Sequence, residues 1–343
     1  MSEHSKPKTS LLNEAKSAAP LEHASCKLDP TDGTYHTLIL GDCRNMKEIA
    51  NETISLTICS PPYFNAEHDY KNAFTSYDEY LNLLHSTAGE LCRVTARGRI
   101  AAIVIDDMLV EGVKYTIVAD TTKIFRDAGF DYRDHIVWKK PDGYAVRSHR
   151  SGVQVQHPYP MYYRPDNLTE SILIFQKGRF DYKSIPEEIR ERSRVQVEAY
   201  LKRNRKWHLN LWEITNVLPN SRLEKGIAAF PQELAARLII LYSYVGETVL
   251  DCFAGSGTTM KAALELQRNS IGVEINKHLL PTIRKKIKTA KTETSASFIT
   301  IERLTPSNIP PPKPLKLPPA GTFLQSTVRQ VPLTLLNEPL RED

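Results

Sequence analysis

From Tyr35 onward, short apolar runs alternate with longer amphipathic ones, and this rhythm limits the fold more than any other property of the chain. "YHTLILGD" reads as a strand, "CRNMKEIA" as a short helix and "ISLTICS" as a second strand. "SYDEYLNLLHSTAGELCRVTARG" follows as a helix, opened by a Ser76-x-x-Glu79 capping box and closed near Gly98. "RIAAIVID" is a strand apolar on both faces, "YTIVADTTKIFRDAG" a helix stopped by a glycine, and "HIVWK" and "SILIFQK" are two further strands. Strands buried on both faces and spaced by helices pair side by side in a mostly parallel sheet with helices on each side. The chain is therefore of the α/β class.

The rhythm breaks after Lys177. "SIPEEIRERSRVQVEAYLKRNRKWH" carries a Ser184 cap, Pro186 in the first turn, early glutamates and late lysines and arginines, the marks of one basic helix. The α/β pattern resumes at "FPQELAARLIILYSYV", a helix, and continues through "TVLDCFAGSGTTMKAALELQR", "SIGVEIN", a helix over 277–290 and a closing strand "SFITIE". The organisation this predicts is a loose arm over 1–33, a first α/β part over 34–177 and an insertion over 178–225, to which the loop 140–169 contributes. A second α/β part over 226–304 and a proline-rich tail over 305–343 complete it.

Composition narrows the setting. A net charge of +5 and a pI ≈ 8.8 make a mild basic excess that permits a nucleic-acid partner without demanding one. Cys26, Cys43, Cys59, Cys92 and Cys252 form no C-x-x-C pair, which suits a reducing compartment, and no histidine–cysteine cluster promises zinc. No apolar leader segment and no run of membrane-spanning length is visible, so a soluble, cytoplasmic protein without metal is expected.

"VLDCFAGSGTT" has the form strand, glycine loop, helix. Gly255 and Gly257 let the backbone turn sharply and approach a ligand, with a helix N-terminus aimed at it. Glu274 ends the next strand, where a carboxylate can accept hydrogen bonds from both ribose hydroxyls of a nucleoside cofactor. Met260 stands where a dinucleotide fingerprint would have its third glycine, which leaves a nicotinamide cofactor open but incomplete, and no P-loop pattern is present.

A second corner follows the strand "LTIC": Ser60-Pro61-Pro62-Tyr63. Neither proline has an N–H, so the corner is rigid and offers carbonyl acceptors without competing donors. With the Ser60 hydroxyl it presents two acceptors to one point, beside an aromatic ring able to stack on a flat partner. A planar exocyclic amine fits that description. Two acceptors holding its hydrogens out of the ring plane would localise the nitrogen lone pair and aim it at an activated methyl group. No covalent enzyme intermediate is needed, so Cys59 and Cys252 are expected to be packing residues.

Together the two motifs resemble the S-adenosylmethionine-dependent amino-methyltransferases of DNA over about Tyr35 to Lys291. Ser60 to Tyr63 looks like the family's (D/N/S)-P-P-(Y/F/W) catalytic motif, and Asp251 to Gly257 its F-x-G-x-G cofactor motif. The catalytic motif comes first, which is the circularly permuted β arrangement. The resemblance implies a Rossmann-like, mostly parallel seven-stranded sheet with one antiparallel strand and a target-recognition insertion. It also implies a cofactor site formed by Asp42, Phe230, Pro231, Asp251, Cys252, Phe253, Ala254, Gly255, Ser256, Gly257, Thr258, Glu274 and Asn276. Asp106 matches an acidic position near the catalytic serine in some relatives; Gly226 replaces a histidine that others carry, and nothing is assigned to it.

A serine in the first position is typical of relatives that methylate cytosine at N4, with adenine N6 as the alternative. The base would have to be flipped from double-stranded DNA and stacked on Tyr63. Phosphate and base contacts are expected from Arg147, Arg150, Lys202, Arg203, Arg205 and Lys206. The implied protein is a monomer or homodimer, the protective half of a restriction–modification pair whose endonuclease acts independently. A nicotinamide-dependent oxidoreductase and a non-catalytic DNA-binding module are the rivals from other classes. A protein-glutamine methyltransferase has a similar corner but the opposite motif order.

Overall fold

The computed structural model describes residues 33–65, 73–141, 167–203, 205–215, 230–292 and 295–303. Its elements are β1 (Thr34–Leu40), β2 (Ile54–Cys59), α1 (Tyr77–Val94), β3 (Thr95–Ile105), a small hairpin β4 (Met108–Val110) and β5 (Val113–Tyr115), and α2 (Ile117–Asp127). There follow β6 (Asp131–Lys139), β7 (Thr169–Gln176), α3 (Glu187–Arg203), β8 (Leu211–Glu213) and α4 (Gln232–Tyr242). β9 (Thr248–Asp251), α5 (Thr258–Glu265), β10 (Asn269–Glu274), α6 (Leu280–Lys288) and β11 (Ala296–Glu302) complete them.

One sheet runs β11-β1-β10-β9-β2-β3-β7-β6-β8, parallel throughout except for β7, which lies antiparallel to β3 and β6. The mostly parallel sheet with one antiparallel strand is as expected. The strand number is not: among the described residues the sheet has nine, because β11 and β8 extend the two edges. Alternation along the strands splits the core between the two faces. Ile174 faces a cluster with Leu234, Leu238 and Ile239 of α4, whereas Phe175 stacks on Phe125 of α2, ring centroids 4.7 Å apart. Met260 and Leu264 of α5 and Ile283 and Ile287 of α6 cover Leu38 and Leu40 of β1.

Three local expectations are corrected. "CRNMKEIA" forms turns instead of a helix. Arg93 of α1 donates to the carbonyls of Ile49 and Met46, each at 2.9 Å, and Glu90 accepts the Met46 N–H, so a neighbouring helix satisfies this backbone from outside. Helix α1 is capped by Ser76, whose hydroxyl accepts the Glu79 N–H, but it ends at Val94, not near Gly98. Gly98 lies within β3 at φ +80, where a Cβ would sit 2.5 Å from the Phe180 Cα; close backbone approach accounts for the glycine.

The stretch read as one basic helix, 184–208, divides into α3 and a short 3-10 turn (Arg205–His208), with β8 just beyond it. Ser184 does not cap it: its hydroxyl donates to the Asp181 carbonyl in a preceding turn. Nor is this stretch only a solvated appendage. Ile185, Ile189, Ser193, Trp207 and Trp212 are buried, and β8 joins the sheet with Trp212 opposite Trp138. No helix among the described residues is long and apolar enough to cross a membrane.

Candidate active site

Strand order decides where a ligand can sit. From β9 the chain crosses through α5 to β10 on one side; from β2 it crosses through α1 to β3 on the other. The crevice between the carboxyl ends of β9 and β2 is the switch point of the sheet, where open α/β folds bind ligands. The glycine loop leaves β9 there and the Ser60–Tyr63 corner leaves β2. β2 and β9 run in register, Leu56 beside Val249 and Thr57 beside Leu250, so the two motifs emerge side by side. The Cys59, Cys252 and Cys43 thiols are buried neighbours, and the Cys43 thiol shares a 3.6 Å hydrogen bond with the Thr87 hydroxyl. Burial pushes the Cys252 thiol well up, and the neighbouring Cys252 thiol together with burial does the same to Cys43. These sulfurs are protonated packing groups.

At the β2 corner Ser60 is half-buried, and its hydroxyl makes no hydrogen bond to other described residues. Pro61 is buried and Pro62 half-buried. Tyr63 is only 6% exposed, and its hydroxyl donates to Glu170 Oε2 at 2.9 Å. Glu170 is the second residue of β7, and its other oxygen receives Lys140 Nζ at 2.5 Å. Asp106 follows the last residue of β3; its carboxylate accepts the Asp107 N–H and the Asn167 amide. Burial, and then the neighbouring Glu170 charge, raise Asp106 to about 6. A carboxyl poised there can take up a proton near neutral pH.

On the cofactor side Gly255 and Gly257 adopt φ +51 and +81, a path that non-glycine residues rarely follow. Asp251 is buried and braces the loop: one oxygen accepts the Phe253 N–H at 3.1 Å and the other the Thr259 hydroxyl at 2.6 Å. Burial lifts its pKa to about 7. Cys252, Ala254, Ser256 and Thr258 are buried too, with Lys286 Nζ donating to the Ser256 and Thr258 hydroxyls at 2.6 and 2.7 Å. These side chains shape the loop from behind, while Phe253 and Gly255 are half-exposed.

Glu274 accepts the Gly255 N–H at 2.7 Å and the Asn276 N–H at 2.8 Å. Burial raises its carboxyl above the usual range against those hydrogen bonds. A carboxylate has lone pairs beyond the two used here, so ribose hydroxyls can still be accepted. Asn276 is exposed and its side chain caps the next turn through the His278 N–H. Asp42 follows β1 and is gripped by Arg44 at 2.6 Å; burial pushes its carboxyl up, but the Arg44 hydrogen bonds hold it below the ordinary value. Phe230 and Pro231 are buried, and Pro231 occupies the N-cap of α4.

A family model described as "DNA methylase" matches residues 54–285. The chain belongs to the DNA methylase family. Among its relatives, the Type II methyltransferase M.MjaI of Methanocaldococcus jannaschii is 35% identical over 289 residues, covering 74% of this chain and 91% of that protein. TTHA0409 of Thermus thermophilus, solved with S-adenosyl-L-methionine, matches with a TM-score of 0.61 and 27% identity over 77% of this chain and 98% of its own. The PvuII DNA methyltransferase, cytosine-N4-specific, shares the fold at a TM-score of 0.51 and 17% identity, over 79% of this chain and 96% of its own.

For this methylase the sequence reading placed Ser60, Tyr63, Asp106, the glycine loop and Glu274 in the site, and the sheet gathers all of them at one edge. It missed Glu170, Lys140, Asn167 and Arg44. A usable signal was Glu170: β7 is the antiparallel strand, so its first residues, not its last, reach the edge where the parallel strands end. Of the DNA-contact candidates, Arg147 and Arg150 lie outside the described residues, as do the side chains of Arg203 and Arg205. Lys202 is exposed in the last turn of α3, and Lys206 is exposed in the turn after it. Residues 1–32, 142–166 and 305–343, which include the expected arm and tail, are likewise outside. Among the described residues no group of histidine, cysteine and acidic side chains is placed to hold a metal.

Proposed function

We propose that this methylase transfers a methyl group from S-adenosyl-L-methionine to the N4 amine of a cytosine flipped out of double-stranded DNA. The reading is carried by one observation: the Ser60–Tyr63 corner and the Asp251–Thr258 loop leave adjacent, in-register strands at the switch point of the sheet. Glu274 and Asp42 offer acceptors to the ribose and adenine of the cofactor, and the positive-φ loop lets it approach the backbone. When bound, the cofactor supplies a methyl group on a positively charged sulfur.

The protein then has two tasks. The Ser60 hydroxyl and the Pro61 carbonyl accept the two amine hydrogens and turn the nitrogen lone pair out of the base plane. Asp106 receives the proton that the methylated amine must lose. Tyr63 offers a ring face for stacking; because it is buried, whatever covers that face must yield when the base enters. Ser60 in place of an acidic residue favours cytosine over adenine. The exposed Lys202 at the end of α3 and Lys206 after it, with Arg147, Arg150, Arg203 and Arg205, are proposed to hold DNA phosphates. The Type II relative supports a role as the modifying half of a restriction–modification pair; a cytoplasmic setting, a separately acting endonuclease and a monomeric or homodimeric methylase are proposed with it.

The test is incubation of random-sequence duplex DNA with methyl-labelled S-adenosylmethionine, followed by mass analysis of the nucleosides. N4-methylcytosine is expected. N6-methyladenine would move the assignment to adenine, and an unlabelled pool would sink the proposal.

A further inference from the structure

We propose that Glu170, paired with Lys140, is a positioning residue that fixes the plane of the Tyr63 ring for the incoming base; this rests on the reading of the Ser60–Tyr63 corner above. Pro61 and Pro62 stiffen the backbone leading to Tyr63 but leave its side-chain torsions free. The far end of the ring is tied instead to the sheet, through the 2.9 Å bond from its hydroxyl to Glu170 Oε2. Lys140 Nζ holds the other carboxylate oxygen at 2.5 Å and sits 5.4 Å from the Trp138 ring centroid.

The support is rigid. Lys140 follows β6 and Glu170 is the second residue of β7, and the two strands are paired up to that point: Trp138 faces Glu170 and the Lys140 N–H donates to the Leu168 carbonyl at 2.8 Å. The Trp138 indole in turn donates to the Ile214 carbonyl at 2.9 Å. Tyr63, Glu170 and Lys140 are 6%, 8% and 4% exposed. A buried ion pair is a poor way to join two strands, since apolar residues of the same volume generally do it at lower desolvation cost. What the pair adds is a directional, charged acceptor held in one place. A tyrosine anchored through its hydroxyl presents only its faces, which is what a stacking platform requires.

Glu170 also neighbours Asp106, which Asn167 contacts, so removing its charge alters the proton acceptor as well. The experiment must separate the two routes. Methyl transfer to random-sequence duplex DNA is measured at pH 8, where Asp106 is ionised with or without Glu170, for the wild type, Tyr63→Phe, Glu170→Gln and the double variant. Each single change is expected to lower kcat about tenfold, the scale of one hydrogen bond to a charged group, with the S-adenosylmethionine KM within about twofold. The double variant should be no slower than the slower single. Multiplied losses of about a hundredfold, or an unchanged kcat in Tyr63→Phe, overturn the inference.

Because Glu170→Gln leaves the buried Lys140 charge without its carboxylate, the paired change Lys140→Met with Glu170→Leu keeps an apolar wall. It should fold and show the Tyr63→Phe rate; wild-type kcat overturns the proposal. If the wild type transfers no methyl group at all, the functional reading fails, and ring-labelled tyrosine spectra judge the lock alone. Distinct edge resonances for Tyr63 that merge in Glu170→Gln uphold it; resonances already merged in the wild type reject it.

Discussion

Met260 presses its sulfur over Gly272: a Cβ built at position 272 would lie 2.5 Å from Met260 Sδ and 3.2 Å from the Ala254 Cβ. In dinucleotide folds the third glycine of the fingerprint, on the helix, lets helix and strand close together. Here the large residue is on the helix and the small one on the strand, so the missing glycine of the motif reappears across the interface. Gly272→Ala should destabilise the fold by about 1–3 kcal/mol through overpacking. Adding Met260→Ala should recover part of that loss in chemical denaturation; strictly additive losses would show that the two residues do not share this space.

Binding and chemistry should separate on the two sides of the crevice. Ser60→Ala is expected to slow methyl transfer by about a hundredfold or more, the scale of removing one preorganised group, while S-adenosylhomocysteine binding stays at the wild-type level. Glu274→Ala should weaken that binding by about tenfold or more. Calorimetry beside the labelled-methyl assay checks both, and equal binding losses in the two variants would contradict the division.

The pH profile should report Asp106. Its carboxyl titrates at about 6, so below that pH it is protonated and cannot accept the amine proton, and above it the acceptor is free. Single-turnover methyl transfer should rise with pH through about 6 and level off. In Asp106→Asn this limb should vanish and the plateau fall. A limb that persists in the variant would belong to another group.

Acid stability should be set partly by His36. It is wholly buried between the Ser270 hydroxyl at 2.7 Å and the Thr34 hydroxyl at 2.9 Å, and burial lowers its pKa from 6.5 to about 3. Between those values the unfolded chain binds a proton that the folded chain refuses, so stability falls as pH drops through this window. The slope from one such group is about 1.4 kcal/mol per pH unit. Denaturant midpoints of His36→Gln should fall less steeply from pH 6.5 downward; parallel curves would remove His36 from the account.

Salt dependence should locate the DNA surface. Lys202→Ala should lower the slope of log affinity against log salt by about one, the contribution of a single phosphate contact. Filter binding at several salt concentrations measures it, and an unchanged slope would place Lys202 off the DNA.

What the sequence revealed follows from how local each signal was. The apolar runs of β1, β2, β3 and β9 and the glycine loop are contiguous, and each lies where its pattern indicated. Strand β8 is three residues long with only Trp212 buried, too short for alternation to register. The turns after β1 look helical by composition because the groups that hold them, Glu90 and Arg93, come from α1. The Tyr63–Glu170–Lys140 chain joins three separate segments, and no spacing rule connects them. Asp251 was expected among the cofactor contacts, yet both its oxygens are engaged by its own loop.

The sheet order has a consequence for synthesis. β1 leaves the ribosome before the other described strands and is flanked by β10 and β11, the last two of them. Its wholly apolar end, Leu38 to Leu40, has no partner on either edge until the chain beyond Asn269 has emerged. Pairing across nearly the whole chain is slow and leaves an adhesive edge open meanwhile. The half of the protein that would hold the methyl donor therefore closes last, and nascent chains arrested before β10 should be the species that chaperones retain.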